Sequence, residues 1–178
     1  MDVHALNAPE EKNIPLIAAL INIWNSNFLH YTAQAIIPYC TALADLPPHI
    51  QQLYMESIGK GVTIDGQAID GQTIDYKTGV IVLGKQGTNA QHSFFQSAHQ
   101  GNPIPVEFIG VVRPGYNKKQ AISKGVYNHQ ELWANLIAQA KAFATGRNNQ
   151  DKARYFPGNR PSSTILVNDL SPENLGLL

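Results

Sequence analysis

The chain has 178 residues, a mass of 19.5 kDa and 43% hydrophobic residues, enough for one domain with a core: a compact fold of this mass exposes about 8,500 Å² and buries roughly 70% of what its unfolded chain shows. Thirteen basic residues against thirteen acidic ones leave no net charge, so the long-range field that draws proteins to nucleic acid or anionic membranes is missing and charge-driven binding is excluded as the main role. A single cysteine, Cys40, excludes an internal disulfide framework and a zinc ribbon and fits a reducing cytoplasm.

From the amino end, Met1–Lys12 carries three acidic residues and no apolar h-region, and no apolar run approaches the ~18 residues of a membrane helix. A soluble, non-secreted protein is expected. From Asn13 to Tyr31 the residues Ile14, Leu16, Ile17, Leu20, Ile21, Ile23, Trp24 and Phe28 recur at spacings of three and four. That pattern predicts a largely buried helix, with Asn13 as its cap and Pro15 in its first turn. Ala35–Tyr39 reads as a strand that Pro38 either ends or places at an edge. A second helix is predicted from Pro48 to about Ser57, stopped before Gly59 and Gly61.

Ile64-Asp65-Gly66-Gln67 recurs five residues later as Ile69-Asp70-Gly71-Gln72, and Ile74-Asp75 begins it again. Asp-Gly steps between isoleucines signal a hairpin, and two copies are too few for a solenoid. Val80–Leu83, Ile104–Val112 and Ser163–Leu170 read as strands, with helices at Asn89–His99 and at Asn128–Thr145, the latter stopped by Gly146. This alternation predicts an α/β fold, a three-layer αβα sandwich with a mainly parallel sheet, over residues 1–178. Ser171-Pro172-Glu173 announces a further helix. The chain stops at Leu178, less than two turns on, and helices that short are unstable alone, so a continuing segment is expected.

Gly79–Lys85 matches the first part of a phosphate-binding P-loop but fails at Gln86, and its variable positions read as a strand, so it is rejected as a nucleotide site. Gly84-Lys85-Gln86-Gly87-Thr88-Asn89 lies between a strand and a helix, where open α/β sheets bind ligands and a helix start favours anions. Such glycines also occur at ordinary strand-to-helix turns. His92 is expected about one turn into that helix, where the dipole favours the neutral imidazole. Glu56 is a candidate general base, or one half of a surface pair with Lys60. Gln52, four residues earlier, shares its helical face. His4, His30, His49, His99 and His129 have no partner at metal-ligand spacing, apart from a loose His92 and His99 pair, and no metal site is expected.

Together these segments resemble the C-terminal half of the glucose-6-phosphate isomerase (phosphoglucose isomerase) family over the whole chain. The resemblance is carried by Asn13-Ile14-Pro15, Ile23-Trp24, Asn27-Phe28, Ile37-Pro38-Tyr39, Gln51-Gln52-Leu53 and Met55-Glu56-Ser57. Longer matches follow at Gly87–Gln96, His99-Gln100-Gly101, Ile104–Ile109 and Gly158–Ser163.

The resemblance implies a sugar-isomerase (SIS) domain. It implies interconversion of glucose 6-phosphate and fructose 6-phosphate in glycolysis and gluconeogenesis, without metal or organic cofactor, in a cytoplasmic homodimer. It implies that Glu56 moves a proton between C1 and C2 through a cis-enediol and that His92, reaching the site from the neighbouring subunit, assists ring opening. Gln52 matches a glutamine that contacts the substrate phosphate, and Gly87 and Thr88 belong to the same substrate-binding set. Ala90, Leu83 and Ile58 depart from the family's usual glycine, tryptophan and asparagine. The family's serine/threonine phosphate cradle, an active-site arginine and a C-terminal lysine have no counterpart in these residues, so the chain alone is expected to be inactive. The alternative is a non-catalytic SIS module that binds sugar phosphates.

Overall fold

A computed structural model describes residues 7–73, 75–113, 115, 121–123 and 125–178. His4 and Ile74, the start of the third partial repeat, lie outside the described residues. The elements are α1 (Ile14–Ile23), β1 (Ala33–Pro38), α2 (Leu46–Gln51), β2 (Ile81–Gly84), α3 (Gly87–Gln91), α4 (Phe95–Gln100), β3 (Val106–Val111), β4 (Ala121–Ser123), β5 (Val126–Tyr127), α5 (Asn128–Thr145), β6 (Ser162–Val167) and α6 (Pro172–Leu177). Two π-helical turns, Trp24–Phe28 and Gln52–Ile58, extend α1 and α2.

The sheet runs β2-β1-β3-β6 with every pair parallel, as the strand and helix alternation predicts. A small antiparallel ribbon, β4-β5, precedes α5; no sequence signal announced it. Side chains alternate across the sheet. Ala35, Ile37, Tyr39, Val106 and Phe108 form one core with Ala90, Phe95 and Ala98 of α3 and α4 and with Leu136 and Phe143 of α5. Ile36, Val82, Ile109, Val111 and Val167 form the other, with Leu46, Ile50 and Tyr54 packed on them. Helices therefore cover both faces, which makes the three layers.

Several expectations are corrected. β1 is an interior strand, so Pro38 does not mark an edge. It closes the strand as its last residue, where its missing N–H costs the ladder least, and the Tyr39 N–H then bonds Ile109 O at 2.8 Å. The helix expected over Asn89–His99 is two short ones, broken at His92–Phe94. α5 spans the expected residues, and Gly146 stops it at φ +67°. Near its middle, Gly110 of β3 lets it approach, since a Cβ there would lie 2.9 Å from Leu136 Cδ1. The repeat makes a minimal hairpin: Val62 and Ala68 form a single antiparallel bridge, and Gly66 and Gly71 turn at φ +78° and +80°.

The largest correction concerns α1. Asn13 Oδ1 accepts from the Leu16 N–H at 3.2 Å and Pro15 sits in the first turn, as expected, yet no residue of the helix is buried. Ile14 is 71% exposed and Leu20 56%. Apolar side chains surround this helix, and only one side meets the sheet, through a cavity of about 420 Å³ lined by Ile17, Ile21, Pro105, Glu107 and Ser163. Periodicity detects apolar spacing and not the presence of a partner. The whole chain exposes 11,945 Å², well above the roughly 8,500 Å² of a compact monomer of this mass.

Candidate active site

The expected site residues fall at opposite ends of β2. α2 starts beside the carboxyl end of that strand, where a Cβ on Gly84 would lie 2.2 Å from Pro47 Cβ. It runs back along the strand, held midway by Gln51 Nε2 donating to Val82 O at 2.8 Å. Its π-helical extension reaches the amino end, where a Cβ on Gly79 would lie 3.1 Å from Tyr54 O and 3.4 Å from Gly59 Cα. Gln52 and Glu56 are therefore on the amino-end side. The i→i+5 register of a π-turn keeps residues four apart on one side, and both side chains are exposed.

The expected Glu56 and Lys60 pair does not form between charges: the Lys60 ammonium bonds the main-chain carbonyl of Glu56. Among the described residues nothing pairs with the Glu56 carboxylate. Gly59 and Lys60, just after this turn, line a hollow of about 630 Å³ together with Thr32, Asp75, Lys77 and Thr78. A free, exposed carboxylate can accept a proton from a bound molecule.

Gly87, Thr88 and His92 lie beyond the carboxyl end of β2, as the strand-to-helix reading predicts. This edge is also where β1 and β3 lie side by side while their onward connections leave in opposite directions, the crevice at which open α/β sheets take ligands. Gly87 is fixed by sterics, since a Cβ would fall 2.5 Å from ring carbons of Tyr39. Tyr39 Oη accepts from Gln91 Nε2 at 2.8 Å, and burial raises its hydroxyl pKa against the lowering effect of that bond. Nearby, Trp133 Nε1 donates to Val111 O at 3.1 Å and Arg113 pairs with Asp169 at 2.8 Å.

His92 is exposed and is the C-terminal cap of the five-residue α3, with φ −92° and ψ 11°. It is not one turn into a longer helix, so the argument from a helix start does not apply to it. Gly79 and Gly87 are eight residue steps apart, at most roughly 26 Å at about 3.3 Å per extended residue. Within one chain Glu56 and His92 therefore lie toward opposite ends of β2. No group of three His, Cys, Asp or Glu side chains among the described residues gathers in a way that could hold a metal ion, and no helix among them is long and apolar enough to cross a membrane.

Sequence reasoning missed the two π-turns and the side chain that bridges between them. Asn27 of the first turn accepts the Lys77 N–H at 2.7 Å across 50 residues. The only sequence signal was the Asn27-Phe28 word in the resemblance.

The fold defines the class: an α/β domain with a four-stranded parallel sheet and helices on both faces. Comparison with known proteins narrows the class. The phosphoglucose isomerase family profile matches residues 1–178. A glucose-6-phosphate isomerase of Desulfosudis oleivorans (strain DSM 6200 / JCM 39069 / Hxd3) is 60% identical over 178 residues, all of this chain and 32% of that protein. The cytosolic glucose-6-phosphate isomerase of Arabidopsis thaliana is 43% identical over 192 residues, again all of this chain and 33% of that protein. The crystal structure of a glucose-6-phosphate isomerase from Chlamydia trachomatis D/UW-3/Cx matches with a TM-score of 0.88 at 43% identity, over 98% of this chain and 33% of that one. The chain belongs to the phosphoglucose isomerase family and spans about a third of the length of the relatives it matches.

Proposed function

We propose that these 178 residues are the SIS domain that carries the proton-transfer carboxylate of a glucose-6-phosphate isomerase, acting in cytoplasmic glycolysis and gluconeogenesis as a homodimer. The observation that carries the reading is the 60% identity to such an enzyme over the whole chain. The exposed Glu56 carboxylate, unpaired among the described residues, supports it.

In this reading the open-chain aldose 6-phosphate lies with C1 and C2 against Glu56. The carboxylate takes the C2 proton, the C–H electrons form the C1–C2 double bond, and the carbonyl oxygen takes a proton to give the cis-enediol. Glu56 returns the proton to C1 as the C2 hydroxyl gives up its own, which leaves the ketose. A positioned base of this kind contributes about 10²–10⁴-fold when held against the carbon it serves. His92 of a second copy exchanges a proton between the ring oxygen and the C1 hydroxyl and so opens the ring. That assignment accounts for its separation from Glu56 within one chain. Gln52 contacts the substrate phosphate beside Glu56, and Gly87 and Thr88, on the same end of the sheet as His92, contact the substrate from the second copy.

The test is a chimera in which residues 1–178 replace the matching third of the Desulfosudis oleivorans enzyme. The chimera should turn over glucose 6-phosphate, Glu56→Gln should lower kcat by about 10²-fold or more, and the isolated 178-residue chain should be inactive. Normal turnover by Glu56→Gln would remove the base assignment. Activity of the isolated chain within tenfold of the chimera would show the catalytic parts to be mislocated.

A further inference from the structure

Glu56 sits on a turn that buries none of its residues, so packing does not aim its side chain. π-turns are rare, poorly bonded segments found often at functional positions. The described residues hold two, Trp24–Phe28 and Gln52–Ile58, and a short strap, Lys77–Gly79, joins them.

Each link in the strap is specific. Asn27 Oδ1 accepts the Lys77 N–H at 2.7 Å, while its Nδ2 donates to Lys77 O at 3.4 Å and to Ser26 Oγ at 3.0 Å. One side chain thus mimics a stretch of sheet and grips both main-chain groups of Lys77. Next along the strap, Thr78 Oγ1 donates to Lys60 O at 2.8 Å. Gly79, at φ +39°, lies flat against Tyr54 O and Gly59. Lys60 then closes on the second turn, through its N–H to Ile58 O at 2.7 Å and its ammonium to Glu56 O.

The Asn27 amide is not needed by its own turn. That turn is closed by main-chain bonds, Leu29 N–H to Trp24 O at 3.0 Å and Tyr31 N–H to Asn25 O at 2.9 Å. Its long-range bonds all serve the strap.

We propose that Asn27 is a positioning residue for Glu56, acting through Lys77, Thr78 and Lys60 to hold the π-turn that presents the carboxylate; the proposal rests on the reading of Glu56 as the base. Displacement of a reacting group by about 1 Å can cost on the order of 10²-fold in rate. Loss of a tether several contacts away should therefore cost less, and should fall on kcat and not on binding.

The experiment uses the chimeric enzyme described above. Asn27→Ala should lower kcat about tenfold with KM within twofold. Thr78→Val, close to isosteric, should lower kcat severalfold in the same pattern. Asn27→Asp keeps the acceptor for the Lys77 N–H but sets a carboxylate oxygen against Lys77 O, and should lower kcat in the same pattern. A normal kcat for Asn27→Ala, or an effect on KM alone, would overturn the proposal. If Asn27→Ala does not fold, Thr78→Val decides by the same criterion. Glu56→Gln separates the two readings: an inactive Glu56→Gln beside a normal Asn27→Ala removes only the positioning role, whereas an active Glu56→Gln removes the base and the positioning role together.

Discussion

The imidazole of His99 lies against the ring of Phe143, tilted at 53° with centroids 4.2 Å apart, inside a cage completed by Phe95 and Phe156. The same residue joins three parts of the fold. Its Nε2 meets Gln139 Oε1 of α5 at 3.2 Å, and its main-chain carbonyl accepts from Arg160 Nε at 3.0 Å. Burial lowers its pKa below the ordinary 6.5, and the nearby Arg160 charge lowers it further, while the Gln139 contact works the other way.

The sign of the linked pH effect follows. Between the folded pKa and 6.5 the unfolded chain binds a proton that the native chain does not. His99 therefore contributes its stability in full above 6.5, and that contribution is lost as pH falls toward the folded value. The urea midpoint of the chain should drop between pH 7.5 and pH 5.5, and His99→Gln, which stays neutral, should show a smaller drop. Equal slopes for the two proteins would falsify this account.

Glu107 predicts the opposite slope. It stands on β3 on the face shared with Tyr54, and burial raises its carboxyl above the ordinary 4.5 despite a bond from the Ser163 hydroxyl. A raised folded pKa means that the native state holds the proton longer than the unfolded chain does. The contribution is present in full below 4.5 and disappears as pH rises through the folded pKa. Glu107→Gln should raise the urea midpoint at pH 7.5 and give little or no gain near pH 4. A variant that is no more stable than the parent at pH 7.5 would show the carboxylate to be well solvated.

The strands of the core were legible because Ile104–Val112 and Val80–Leu83 are apolar runs with no competing period, and their placement follows from being covered on both faces. α5 was legible for the complementary reason, a clear stripe with Gly146 behind it. The break at His92 was not, because no glycine or proline marks it; Ala90 of the first short helix and Phe95 and Ala98 of the second are buried in the same core, a tertiary arrangement that local sequence does not spell out. The exposure of α1 was illegible in principle, since its sequence specifies an apolar surface and says nothing of what covers it. For the site, Glu56 and His92 are proposed from their sequence words and not from spacing. Their separation by the length of β2 needed the topology.

Gly87 yields a steric prediction. Its missing side chain is required by Tyr39, which is 4% exposed and fixed in the core. Gly87→Ala overpacks that contact and should destabilise the chain by about 1–3 kcal/mol. In a Tyr39→Ala background the same change should cost little, because the ring it meets is gone. A double-mutant cycle in urea reads the coupling; additive costs would show that the glycine is needed for some other reason.

The exposed apolar residues of α1 predict behaviour in solution. Ile14, Leu20 and Ile21 are more than half exposed, and Trp24 and Phe28 stack at 4.9 Å on the surface just beyond them. Contiguous apolar surface of this kind drives association unless it is covered. With no net charge, electrostatic repulsion does little to oppose it. The isolated chain should therefore sediment faster than a 19.5 kDa monomer as concentration rises, with quenching or shift of Trp24 fluorescence in parallel. Leu20→Lys combined with Trp24→Lys should restore monomer sedimentation without lowering the urea midpoint, because neither side chain supports the core. A parent chain that stays monomeric at high concentration would mean that α1 folds back on the cavity beside β3 and β6 and covers itself.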